Sequence, residues 1–134
     1  MELRVVSATG NRALIEAWVE AFNAFDLDGV NAKYAEDCEY VIAARGIHLR
    51  GRAAQRELMQ GFLNALPDRQ MTLRSLIVDE TGAAAEVEYV GTSTGAPGFP
   101  PRGKRYMAAV CCVLRIDNGH ITYERDYRDA QSEG

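Results

Sequence analysis

Residues 103–129, GKRYMAAVCCVLRIDNGHITYERDYRD, decide the fold. Two runs, Arg105 to Ile116 and Ile121 to Asp129, carry strand-forming residues in period two on either side of Asp117-Asn118-Gly119. An Asn-Gly pair tolerates positive φ at both positions, so this spacing predicts a tight antiparallel hairpin. In strict alternation Ile121, Tyr123, Arg125 and Tyr127 share one face of the second run, and Thr122, Glu124, Asp126 and Arg128 the other. By pattern alone the second set is the wet face.

Upstream of this hairpin, period-two runs recur at Met71, Leu73 and Leu76–Val78 and again over Ala84–Thr92, joined by the turn Asp79-Glu80-Thr81-Gly82. The stretch GTSTGAPGFPPRG, residues 91–103, is dense in Gly and Pro and reads as a loop within one domain. Phe99, set between glycine and prolines, marks Ala96–Pro101 as either a candidate lid or a plain connection. Ahead of the strands the spacing turns helical. Leu14, Ile15, Trp18, Val19 and Phe22 form one stripe of a helix over Asn11–Phe25, capped by Thr9 or Asn11. Leu27–Tyr34 predicts a short second helix, with Asp26 or Asp28 as its cap, and Glu39–Ala43 a brief strand. Arg52–Leu66 is a third helix, with Leu58, Met59, Phe62, Leu63 and Leu66 on one side, and Pro67-Asp68 ends it. Helices followed by a meander of strands is an α+β arrangement. Three helices cover only part of one face of a curved sheet, which leaves a conical pocket between the layers.

A length of 134 residues suits one domain spanning 1–134. With 47% hydrophobic and 25% charged residues, the composition is globular and sets aside disordered, collagen-like and coiled-coil chains. Lys and Arg number 15 against 19 Asp and Glu, a net charge of -4 with no basic run, so neither nucleic acid nor an anionic membrane is an expected partner. No stretch approaches the roughly 20 apolar residues of a bilayer span, and the opening MELRVVSATG lacks a signal-peptide pattern, so the expected location is cytoplasmic. Cys38, Cys111 and Cys112 are odd in number, and the adjacent pair points to opposite faces of a strand, which argues against a disulfide framework. His48 and His120 stand outside any metal-ligand spacing, and no metal or other cofactor is expected.

With that order in place, the closing segment resembles the SnoaL-like polyketide cyclases and limonene epoxide hydrolases of the nuclear transport factor 2-like superfamily. The likeness continues through Ala35-Glu36-Asp37 before the first strand, Gly51-Arg52 opening the third helix and Leu66-Pro67-Asp68 closing it. It extends to Gly91-Thr92-Ser93-Thr94-Gly95 ahead of Pro100-Pro101-Arg102-Gly103. The resemblance implies a cystatin-like α+β cone, with three N-terminal helices packed on a curved mixed or antiparallel β-sheet that encloses a pocket. It also implies a homodimer through the sheet and a small hydrophobic ligand or substrate. In the epoxide hydrolase pattern the final strand reads Arg-Asp-Tyr-x-Asp and its first Asp activates water. Here Arg125-Asp126-Tyr127-Arg128-Asp129 puts Asp126 in that place. The Arg and second Asp of that pattern align with Glu86 and Glu88, which breaks the triad. Tyr40 matches the water-positioning Tyr, but Ile42 stands where the Asn belongs and where ketosteroid isomerases keep their Asp. A SnoaL-like cyclase asks only for one acid/base carboxylate in an apolar cavity, and a carboxyl withdrawn from water keeps its proton to higher pH.

The expected function is therefore general acid/base catalysis by a pocket carboxylate on a small, mostly apolar substrate, a polyketide-type cyclisation or a related proton transfer or isomerisation. Three alternatives stand beside it: a non-catalytic binding or accessory domain, an epoxide hydrolase-like activity with an altered triad, and an interaction module anchored by Tyr123, Tyr127 and Tyr89. Candidate catalytic residues are Asp126, Glu124 on its face, Glu88 and Tyr40. Glu86 and Glu88 read equally as an exposed acidic stripe, and Tyr40 as a core tyrosine. Candidate substrate-binding residues are Trp18, Phe22, Ile42, Met59, Phe62, Leu66, Glu86, Ala108, Val110 and Cys112, with core packing as the other reading of the helix members. A register slip of one residue reverses every assignment on the last strand.

Overall fold

The computed structural model describes residues 8–129. Its elements are α1 (Ala8–Asn23), α2 (Leu27–Asn31), β1 (Tyr34–Ile42), β2 (Ile47–Arg50), α3 (Arg52–Ala65), β3 (Gln70–Val78), β4 (Gly82–Thr92), β5 (Arg105–Asp117) and β6 (His120–Arg128), with a 3-10 turn at Ala43–Arg45. The six strands form one curved sheet in the order β2-β1-β6-β5-β4-β3. Neighbouring strands run antiparallel except β1 and β6, which are parallel. Helix α1 packs on β3 and β4, α3 on β1 and β2, and α2 touches both other helices. The expected α+β cone is thus present, with the helices on one concave face.

Several local expectations shift for identifiable reasons. Helix α1 already includes Thr9 and Asn11, so neither caps it. The buried Asn11 instead donates its Nδ2 to the Asp79 carbonyl at 2.9 Å, pinning the helix to the turn between β3 and β4. Helix α2 is capped by Asp26, whose Oδ1 accepts from Gly29 N at 2.9 Å, and it stops at Asn31. Tyr34 therefore opens β1 and does not close a helix; Ile121 N on β6 donates to the Lys33 carbonyl at 2.8 Å and draws the chain into the sheet. The short strand β2 was not legible from four residues; pairing of Val41 with His48 defines it. Both hairpin turns are as read. Asp79 Oδ1 accepts from the Thr81 and Gly82 amides at 2.7 and 3.0 Å, and Asn118 and Gly119 take φ of 52° and 76°.

The decisive irregularity lies in β6. Ile116 pairs with Ile121 and Arg115 with Tyr123, so β5 advances one residue while β6 advances two, and Thr122 is extra. Such a bulge inverts the alternation beyond it. Ile121 faces the core, and so do Glu124 and Asp126, although their positions differ in parity. Tyr123, Arg125 and Tyr127 lie on the other face, where the guanidinium of Arg125 sits 5.3 Å from the Tyr127 ring. Without the bulge, strict alternation would have sent either the isoleucine or the two acids to water.

Two deletions separate these geometries. Removing Thr122 leaves every side chain of β6 facing as it does, so urea unfolding is expected to stay cooperative with a modest shift in midpoint. Removing Arg125 turns Asp126 outward and Tyr127 inward, at an expected loss of about 3 kcal/mol or more. Equal damage from the two deletions would refute the bulge as the device that aims the acids.

Candidate functional site

Two carboxyl groups stand side by side on the inner face of β6, under the helices. Glu124 is 1% exposed and Asp126 4%. Because β1 runs parallel to β6 with Tyr40 opposite Glu124, its tyrosines reach the acids directly. Tyr34 donates its hydroxyl to Glu124 Oε1 at 2.5 Å, and Tyr40 donates to Asp126 Oδ2 at 2.8 Å. Trp18 of α1 donates its indole N–H to the Tyr34 oxygen at 3.1 Å, which extends the chain of donors into the helix layer. From the other side the Cys112 thiol on β5 hydrogen-bonds Asp126, and the Tyr89 hydroxyl on β4 hydrogen-bonds that sulfur.

The remaining oxygens, Glu124 Oε2 and Asp126 Oδ1, are buried without a donor. Burial first, and then the charge of Asp126 and the hydrogen bond between the carboxyls, pushes the Glu124 pKa well above the ordinary 4.5. One proton held between the two groups supplies the missing donor for both. Burial likewise raises Tyr34, Tyr40, Tyr89 and Cys112, with negative charge from the acid pair adding to it, so the surrounding groups remain neutral donors. Cys112, Glu124 and Asp126 bring one ligand-type atom each to within 4.8 Å of one another. As a divalent-cation site this set fits poorly: the thiol is held protonated, Glu124 keeps its proton, and two tyrosine hydroxyls already take the outer oxygens.

Above the pair lies a hollow of about 40 Å³, room for about three waters. Asp126 and Tyr40 form its polar floor, and Phe22, Met59, Phe62 and Leu66 from the helices form an apolar wall. Tyr89 and Tyr106 add aromatic edges from the sheet. Phe99 closes one side: its ring lies 5.4 Å from Tyr106 and 6.0 Å from Phe62, under the Arg45 guanidinium at 4.7 Å. Arg45 Nη1 also donates to the Gly98 carbonyl at 3.3 Å. The loop read as a candidate lid is thus seated on the hollow.

Of the residues singled out from the sequence, the structure places Asp126, Tyr40, Phe22, Met59, Phe62 and Leu66 around the hollow and Glu124 beside Asp126. Trp18, Ile42, Ala108, Val110 and Cys112 point inward but are packed in the layer around the acids instead of lining the hollow. Glu86 and Glu88 do not join them. On β4 the inward positions are Ala83, Ala85, Val87 and Tyr89, so both glutamates lie on the opposite face. Glu86 is exposed there, and Glu88 pairs with Arg74 at 3.1 Å. The same alternation overturns Tyr89 as an outer anchor: its ring packs on Phe22 at 5.4 Å. Tyr127, 54% exposed, does sit on the outer face. His48 is on β2, exposed, against Glu39 at 2.5 Å, and takes no part in the hollow. Sequence reasoning missed Tyr34, Tyr106 and Arg69. Tyr34 was assigned to a helix, and nothing around Pro67-Asp68 distinguishes Arg69 from an ordinary surface arginine.

With the geometry in place, the relatives can be compared. Residues 15–124, most of the chain, match the family profile of the SnoaL-like domain. Among solved structures, AclR, a candidate hydroxylase from Streptomyces galilaeus, is 25% identical at a TM-score of 0.81, over 94% of this chain and 93% of that one. A candidate polyketide cyclase from Xanthomonas campestris pv. campestris is 27% identical at a TM-score of 0.76, over 92% and 93% of the two chains. An LEH-like epoxide hydrolase from M. tuberculosis shares the fold at 22% identity and a TM-score of 0.74, over 94% of this chain and 87% of that one. No curated protein sequence matches. A cone of helices on a six-stranded sheet, together with the profile match over residues 15–124, shows that the chain belongs to the SnoaL-like domain family.

Proposed function

We propose that this protein is a cofactor-independent acid/base enzyme acting on a small carbonyl compound, in a polyketide-type cyclisation or a related isomerisation. The observation that carries the reading is the buried Glu124–Asp126 pair with one member opening on an apolar hollow. Two carboxyls sharing a proton in a dry site hold one base and one acid at neutral pH. Asp126 takes a proton from the carbon next to a carbonyl, and the C–H electron pair moves into the enolate. The enolate carbon then attacks a second carbonyl of the same molecule, and Asp126 returns the proton to the new alkoxide. Glu124 keeps its own proton throughout and limits the charge on the pair. Tyr40 orients Asp126 by its 2.8 Å hydrogen bond. Holding both carbonyls of one chain against Asp126, with Phe99 moved aside to enlarge the 40 Å³ hollow, replaces an encounter with an intramolecular step.

A pure binding domain would be better served by apolar residues here, because replacing a buried ionic group with packed hydrocarbon is often neutral or stabilising. The altered epoxide hydrolase triad is not assembled either, since Glu86 and Glu88 lie across the sheet from Asp126.

Asp126→Asn keeps the shape and removes the base. Deuterium exchange at the activated carbon of small 1,3-dicarbonyl compounds in D₂O, followed by NMR, is expected to fall about 10²–10⁴-fold in this variant. Undiminished exchange would exclude Asp126 as the base. Glu124→Gln tests the shared proton through stability. The unfolded carboxyl titrates near 4.5 and the folded one well above it, so above that pH the native state binds more protons than the unfolded one. The contribution of Glu124 is complete below about 4.5 and is lost as pH rises through the folded value. Stability measured from pH 5 to 7 is therefore expected to decline in the wild type relative to Glu124→Gln, by at most about 1.4 kcal/mol per pH unit. Parallel curves would contradict a retained proton.

A further inference from the structure

Arg69 lines the same hollow as Asp126 and is 2% exposed. Among the described residues its guanidinium has no hydrogen-bond or ion-pair partner, and Nε and Nη1 are wholly out of water without an acceptor. One contact accounts for one face of the group: Cζ lies 4.4 Å from the centre of the Phe22 ring. A ring face satisfies the flat side of a guanidinium but none of its in-plane N–H donors. Burial lowers its pKa, yet arginine remains protonated in proteins. Among the described residues, then, this buried cation has no counter-ion.

The position is built, not incidental. Arg69 N donates to the Leu66 carbonyl at 3.1 Å, closing the turn after α3. Its neighbour Asp68 accepts from the Thr92 amide at 2.7 Å and from the Thr92 hydroxyl at 2.8 Å, which ties this turn to β4. Gly91 lets the two segments meet: a Cβ there would lie 3.2 Å from Leu66 Cβ and 3.4 Å from Arg69 Cα. The backbone of Arg69 is thereby locked, while its charged end points into the hollow with its donors free.

We infer that Arg69 is the anion anchor of this cavity, and that the ligand carries a carboxylate which the guanidinium fork receives while Asp126 faces the reacting carbon. A planar fork of donors matches the two oxygens of a carboxylate, and pairing removes the cost of the buried charge. The charged groups lining the hollow are Arg69, Arg128 and Asp126, so the complementary molecule has an anionic end for the guanidinium and an uncharged carbonyl end for the acid. The substrate class is thus a small keto acid or a carboxylate-bearing diketone. This assignment rests on the proposed function only in using the same hollow, and its test needs no turnover.

The test uses matched pairs, butyrate against butyramide and benzoate against benzamide, with binding to the whole chain followed by calorimetry and thermal melting. In the wild type each carboxylate is expected to bind about tenfold or more tighter than its amide. Arg69→Met is expected to abolish that preference, and Arg69→Lys to retain part of it as a point charge without the fork. In the absence of ligand, Arg69→Met is expected to raise Tm by about 2–4 °C, because it removes a buried unpaired charge. A merely structural arginine would lower it. Asp126→Asn, which tests the catalytic reading, is expected to keep the carboxylate preference, so the two readings fail separately. Equal binding of acid and amide by the wild type, failure of every carboxylate to bind at millimolar concentration, a preference that survives in Arg69→Met, or a fall in its Tm would each overturn the anchor.

Discussion

Two carboxyl groups held together out of water impose the demand that the rest of this structure meets. A lone buried carboxylate is costly, and a second beside it makes double ionisation costlier still. The fold answers with a retained proton between the pair and with donors on every side. Tyr34 and Tyr40 come from β1, Trp18 stands behind Tyr34 on α1, and Cys112 and Tyr89 approach from β5 and β4. Four elements distant in sequence thus converge on two residues of β6. The parallel pairing of β1 with β6 is central, because it lays both tyrosines along the acids.

The other buried charge obeys a different logic. Among the described residues Arg69 has no hydrogen-bonding partner for Nε and Nη1, while the acids have several donors, although Arg69 and Asp126 border one hollow. Evolved interiors tend to break the rule of satisfied polar groups at functional sites and to compensate elsewhere. Here the compensation is visible in the apolar wall of α1 and α3 and in the aromatic pile of Phe62, Phe99 and Tyr106 under Arg45. The small size of the hollow follows from that pile. Phe99 stands on the segment dense in Gly and Pro, so the closing residue sits on a loop between β4 and β5.

Some elements were legible because they depend on neighbours in sequence. The Asn118-Gly119 turn, the Asp79 turn, the stripe Ile15-Trp18-Phe22 and the stop at Leu66 all follow from local geometry, and each is where the pattern places it. Other assignments failed where a distant partner intervened. Tyr34 left its helix because Glu124 and the β6 backbone claim it. Asn11 left its cap for the Asp79 carbonyl. Glu86 and Glu88 were placed by alignment beside the acid, yet the alternation of β4, with alanines and Val87 inward, sends them to the outer face.

By itself the sequence determined the order of helices and strands, the turns, the α+β class and the family likeness, since periodicity, caps and turn residues act within a few positions of themselves. Which way Asp126 and Glu124 point, what holds their proton and which arginines share the hollow with Asp126 were decided by tertiary structure. The physical reason is the bulge at Thr122 together with the parallel contact of β1 and β6. One extra residue reverses the faces of a strand, and only the register of two strands far apart in the chain says where that residue is absorbed.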